Sequence, residues 1–213
     1  AHLGPGSLLA VLPDPVTPLA GSRFVQKQSF HLSGDASLVL VDWMTSGRKA
    51  LGESWEFASF ETANSVECDG TPVLQDKMEL RYEDGVSIKE RMGGAHVVGM
   101  MLLIGPRLEE TMRRIALGHL AGGFAAPRCD PLGTMKAAKA DAGDPLANLA
   151  SCKCFSDGDA NAQSVLSTSF RAVANGAGLL VRFAASDTEA AYAFLRDALA
   201  PLGGQLGRPP FAP

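Results

Sequence analysis

Charged side chains and conformationally permissive glycines crowd together in the run Asp42-Trp43-Met44-Thr45-Ser46-Gly47-Arg48-Lys49-Ala50-Leu51-Gly52-Glu53, with Glu56 just beyond it. Two chemistries are open to such a segment. An arginine can grip one carboxylate while another carboxylate meets a hard or borderline cation. Equally, an Arg–Glu pair can simply fix the turn between two strands, because charged groups are seldom buried unless paired. Asp42, Arg48, Glu53 and Glu56 are thus the candidate cation-handling residues, with the turn-fixing reading standing beside them.

Other reactive side chains form no recognisable constellation. The glycines match neither G-x-x-x-x-G-K-[ST] nor a strand-to-helix G-x-G-x-x-G, which argues against nucleotide hydrolysis by the chain itself. No G-x-S-x-G elbow is present, and no cysteine has an evident orienting histidine, so no catalytic residue is assigned. His2, His31, His96 and His119 are scattered without an H-x-x-x-H pair and read as ordinary histidines rather than ligands. Cys152 and Cys154 could offer two thiolates to a soft metal, but they lack the second pair that a structural zinc site requires. Free thiols are the plainer reading. No cofactor of the chain's own is expected.

The elements that would hold these residues are mostly strands. Ser7 to Val11 is an apolar run stopped by Pro13-Asp14-Pro15, and Arg23 to Leu32 alternates imperfectly. Ser37 to Trp43 is apolar and β-branched enough to be covered on both faces. Further strands are expected at Ser54 to Glu61, Asn64 to Cys68, Val73 to Tyr82, Val86 to Arg91 and His96 to Ile104. Turns at Asp69-Gly70 and Glu83-Asp84-Gly85 punctuate them. Pro106 opens a helix carrying an apolar stripe of Leu108, Met112, Ile115 and Leu120. Composition then shifts to Ala, Gly, Asp, Pro and Lys, which predicts a flexible insertion at about 122–162. A strand pair at Ser164 to Ala174 and Gly178 to Ala185 precedes a second helix. Ser186-Asp187-Thr188-Glu189 fits a capping box, and Ala191, Phe194, Leu195, Ala198 and Leu199 form the helix's apolar stripe. Either helix could offer its stripe to a partner or pack it on the protein's own sheet.

Bulk properties narrow the classes. With 213 residues and a formal charge of −4, the chain suits a single domain over 1–213 and lacks the basic surface that non-specific nucleic-acid binding needs. Its longest apolar stretch, Val97 to Ile104, is far short of the roughly 18 residues of a membrane helix. Four cysteines in a chain of this length do not make a disulfide scaffold, so reduced thiols and a cytoplasmic setting are expected. No initiator Met is present, and the apolar residues close to the start predict a missing N-terminal segment.

Several stretches, in order, resemble the UreD/UreH family of urease accessory proteins in its plant-type form. These are Leu9 to Thr17 (LAVLPDPVT), Ser37 to Glu53 with Trp55-Glu56-Phe57, Glu90-Arg91-Met92, Leu103-Ile104-Gly105-Pro106 and Gly178 to Ala185. The resemblance covers nearly the whole chain outside the insertion and corresponds to the C-terminal two-thirds of the family. It implies a mainly β fold, a β-helix-like stack of many short strands with two α-helices. It also implies a non-catalytic chaperone scaffold that, in a cytosolic complex with UreF and through it the GTPase UreG, docks on urease apoprotein and assists nickel insertion. Nickel would be handled transiently. Arg48 and Glu53 fall on the family's G-R-x-x-x-G-E pattern, so Asp42, Arg48, Glu53 and Glu56 become expected nickel-path or tunnel residues. Plant-like relatives often carry a Cys after Val16-Thr17, where this chain has Pro18. Competing readings are a carboxylate-dependent hydrolase using a pair such as Asp42 and Glu53, and a purely structural interaction module.

Overall fold

The chain passes back and forth between two sheets. β1 (His2–Leu3), β3 (Arg23–Leu32) and β5 (Ser59–Cys68) lie in one sheet, while β2 (Leu8–Val11) and β4 (Ser37–Thr45), which alternate with them along the sequence, lie in the other. Within each sheet these successive coils pair in parallel, with His2 opposite His31, Phe24 opposite Phe60 and Leu8 opposite Ser37. The expected mainly β, β-helix-like stack is what this winding produces. In the computed structural model the described residues are 1–83, 85–120, 152–155, 165–174 and 177–212.

After β5 the winding changes sense. A turn at Asp69-Gly70 leads into β6 (Thr71–Arg81), antiparallel to β5. β7 (Val97–Ile104) then returns to the other sheet antiparallel to β4, and β8 (Cys152–Phe155), β9 (Val165–Val173) and β10 (Gly178–Ala185) extend that sheet. The first sheet has the order β1-β3-β5-β6 and the second β2-β4-β7-β10-β9-β8. β8 falls inside the stretch expected as an insertion; the rest of that stretch lies outside the described residues, as do the side chains of Cys152, Cys154 and His119.

Every residue of β4 is buried because the second sheet is covered on both faces. Leu38 and Leu40 meet the first sheet, while Val39, Val41 and Trp43 meet two helices, α2 (Glu109–Leu120) and α3 (Thr188–Leu199). The result is three layers: sheet, sheet, helices. Leu108, Met112 and Ile115, along with Ala191, Phe194, Leu195, Ala198 and Leu199, are all buried in that outer core. The described side chains of both stripes are therefore internal, and they are not available for a partner. Arg114 on α2 fastens the helices to each other by donating to the backbone carbonyl and carboxylate of Asp197, each at 2.8 Å.

Three local expectations are corrected. Val86 to Arg91 is not a strand. Ser87 caps a short helix, α1 (Ile88–Met92), accepting from the Glu90 N–H while the Glu90 carboxylate accepts from the Ser87 N–H, and this reciprocal cap outweighs the apolar alternation. Ser54 to Glu61 and Asn64 to Cys68 are not two strands; the ladder runs unbroken through β5. Asp187 rather than Ser186 caps α3, its carboxylate accepting from the Ala190 N–H at 2.9 Å. Beyond α3, which ends at Leu199, the chain continues through a 3₁₀ turn, Ala200–Leu202, into the short helix α4 (Gly203–Leu206).

The strand glycine Gly99 has a steric purpose. It stands between Trp43 and Phe183 in the ladder, and a Cβ there would lie 2.5 Å from Trp43 Cβ and 2.7 Å from Phe183 Cζ. Gly99→Ala should therefore force those rings apart and cost roughly 1–3 kcal/mol, read as a lower midpoint in urea unfolding; an unchanged midpoint would refute this packing account.

Candidate functional site: a polar layer between the sheets

The inward-facing residues of β3 are Phe24, Gln26, Gln28, Phe30 and Leu32; those of β5 are Phe60, Thr62, Asn64, Val66 and Cys68. In the parallel register Phe24 lies beside Phe60, Gln26 beside Thr62, Gln28 beside Asn64 and Phe30 beside Val66. A polar band thus crosses the interior between two apolar clusters, one around Phe60, Trp55 and Met44 and the other around Val66, Leu38 and Leu102.

Asp42 on β4 faces this band and is only 7% exposed. Thr62 Oγ1 and Asn64 Nδ2 each donate to Asp42 Oδ2 at 2.7 Å, and Gln26 Nε2 donates to Oδ1 at 3.2 Å. Gln28 Nε2 in turn donates to Asn64 Oδ1 at 3.0 Å, which fixes the direction in which the Asn64 amide donates. A buried carboxylate is tolerable only when such bonds replace its hydration. These donors are all neutral, and among the described residues no cationic side chain pairs with Asp42, so the negative charge is held in place without being cancelled.

A cavity of about 590 Å³ opens beside it, lined by Asp42, Thr62, Met100 and Thr168 among others. Asp42, Met100 and Arg182 stand in one row across the second sheet, and Asp76 on β6 is in register with Asn64. Arg182 crosses the gap to pair with Asp76, tying the two sheets together at the cavity wall.

The remaining sequence candidates sit elsewhere. Arg48 and Glu53 pair with each other in the connection between β4 and β5, Arg48 Nε donating at 3.0 Å and its backbone N–H at 3.2 Å to Glu53 Oε2. Gly47 has φ +129°, and a side chain there would press on Glu53 Cβ at 3.2 Å, which explains why glycine precedes the arginine. Arg48 holds the Glu53 carboxyl down to about 2. Glu56 points to solvent, and its backbone carbonyl accepts from the Gly21 N–H at 2.9 Å. Neither Glu53 nor Glu56 lines the cavity. The Asp42–Glu53 pair that a hydrolase would need is not assembled.

The layer's other members, Gln26, Thr62, Asn64, Asp76 and Arg182, were not among the sequence candidates. For Gln26, Thr62 and Asn64 the signal was parity: polar residues in the phase that otherwise carries Phe24, Phe30, Phe60 and Val66. His96 belongs to the framework, its Nδ1 lying 3.0 Å from Ser46 Oγ, with burial as the main cause lowering its pKa. Among the described residues no group of three or more His, Cys, Asp or Glu side chains is arranged around a common metal position, and no helix is long and apolar enough to cross a membrane.

Fold and site together define a mainly β strand coil whose interior carries an uncancelled carboxylate beside a cavity. The chain matches the family model described as UreD urease accessory protein over residues 1–213, and it belongs to that family. It is 32% identical to urease accessory protein D of Oryza sativa subsp. indica over 99% of this chain and 64% of that protein. Identity is 33% to the Arabidopsis thaliana protein of the same name, over 100% and 68% of the two chains. With the urease accessory protein UreD of Sorangium cellulosum (strain So ce56) it is 34%, over 100% and 55%. The chain thus spans somewhat less than two thirds of the rice relative's length.

The Glu53 assignment can be checked by titration. Its folded pKa is depressed, so the pair's contribution to stability is present above the ordinary carboxyl range and is lost as pH falls from about 4.5 towards about 2. In an NMR titration of the side-chain carboxyl carbon, the midpoint should lie near 2 and return to the ordinary range in Arg48→Gln. A midpoint that ignores the substitution would contradict the assignment.

Proposed function

We propose that this chain is the strand-coil body of a urease accessory scaffold that assists nickel insertion into the urease active site and performs no turnover itself. In this reading it works in the cytoplasm on urease apoprotein, in complex with UreF and through UreF with the GTPase UreG. Family membership supports the accessory role. The observation that carries the metal role is Asp42, a buried carboxylate held by three neutral donors against an open cavity.

The chemistry suits passage rather than storage. Carboxylate and water oxygens hold a borderline divalent ion weakly, whereas thiolates bind it tightly enough to stop transfer. Asp42 would attract the ion, and the Thr62, Asn64 and Gln26 side chains would keep the carboxylate oriented. Arg48 and Glu53 would act on the same path only as a structural clamp of the loop that follows β4.

Two measurements test this. The full-length protein should restore urease activity to a urease-deficient strain lacking its own UreD, and failure to do so would overturn the accessory role. Asp42→Asn keeps the shape and removes the charge. It should lower urease activation several-fold while UreF still co-purifies, and undiminished activation would overturn the role of Asp42. Glu53→Ala should weaken activation less than Asp42→Asn does.

A further inference from the structure

A second set of capable side chains lies on the opposite face of the first sheet, away from the cavity. The register sets His2 on β1 opposite His31 on β3, and His31 opposite Glu67 on β5. Directly opposed residues share a face, and His31 and Glu67 fall in the outward phase of their strands. The His2 and His31 rings stack with centroids 4.5 Å apart and 12° between their planes. His31 Nδ1 lies 2.9 Å from Glu67 Oε2, and both side chains are 39% exposed.

Glu67 settles which His31 nitrogen is available. An ionised carboxylate can only accept, so the proton in that bond belongs to Nδ1, and Nε2 of the neutral ring is left with a bare lone pair. A carboxylate behind one ring nitrogen is how metal-ligating histidines are oriented and made more basic. A second imidazole stands one strand away. Imidazole nitrogens select late first-row divalent ions over magnesium and calcium, which prefer oxygen.

We propose that His2 and His31 together bind a late first-row divalent cation on the outer face of this sheet, with Glu67 holding His31 in the ligating tautomer. Stacked parallel rings cannot both aim a lone pair at one ion. The exposed His2 ring must turn about its Cβ–Cγ bond, a broad and soft torsion. Two protein ligands with water completing the shell make an exchangeable site, and Glu67 acts from behind His31 rather than as a third ligand. The site does not depend on Asp42, which points into the interior from the other sheet.

The test uses the full-length protein and Ni²⁺ as the probe, read by paramagnetic broadening of assigned imidazole signals. His2 and His31 should broaden ahead of His96, and Mg²⁺ at the same concentration should leave them sharp. His2→Ala should remove the broadening at His31 at that Ni²⁺ concentration, and Glu67→Gln should weaken binding roughly 10–100-fold. Asp42→Asn should change none of this, so a failure here is distinct from a failure of the cavity reading. The proposal is overturned if His2 and His31 stay sharp, if His96 responds first, or if His31 broadens equally without His2. An unchanged affinity in Glu67→Gln would overturn the role given to Glu67.

Discussion

A carboxylate taken out of water between two sheets imposes terms on everything around it. Left without donors, Asp42 would cost several kcal/mol. Its bonds to Thr62, Asn64 and Gln26 therefore require β3 and β5 to present polar groups at this height in the coil. The parallel register supplies them in side-by-side pairs, and the Gln28–Asn64 bond locks the amide that matters most. Apolar packing is displaced to either side, so the space between the sheets holds two separate hydrophobic clusters instead of one.

What could be read from sequence and what could not divides along contact range. β3 and β4 were legible because alternation and an unbroken apolar run are local patterns, and the Arg48–Glu53 pair was legible because its members are five residues apart. Asp42 was visible as a candidate, but its partners lie 16, 20 and 22 residues away. Only the coil geometry brings them together, and nothing in the spacing announces that geometry. The same limit hid the pairing of His2 with His31, which are ordinary when taken singly. Where local signals competed, the hydrogen-bonded cap prevailed: Ser87 and Glu90 turned an apolar alternation into α1, and Asp187 took the cap of α3 from Ser186.

The helices show how the third layer limits function. An amphipathic stripe is compatible with docking until its burial is known, and here α2 and α3 use theirs to cover β4, β7 and β10. Trp43 sits at the junction of these layers. Its indole N–H donates to the Pro13 carbonyl at 2.9 Å while its ring meets Tyr192 edge-on, so the β2–β3 connection, the sheet and α3 are joined through one side chain.

The two ends of the coil are built differently. At one end the connections 4–7, 33–36 and 69–70 are tight, and each carboxylate clasps the coil before it: Asp35 accepts from the Gly6 N–H at 2.6 Å and Asp69 from the Gly34 N–H at 2.9 Å. At the other end the connections 12–22, 46–58 and 82–96 are long and carry Leu19, Leu51, Tyr82 and Val86 in the open. Extra residues grafted into the clasped end would break a ladder that sets the pitch of every turn. At the loose end they would reshape only the rim, leaving the polar seam between the sheets undisturbed.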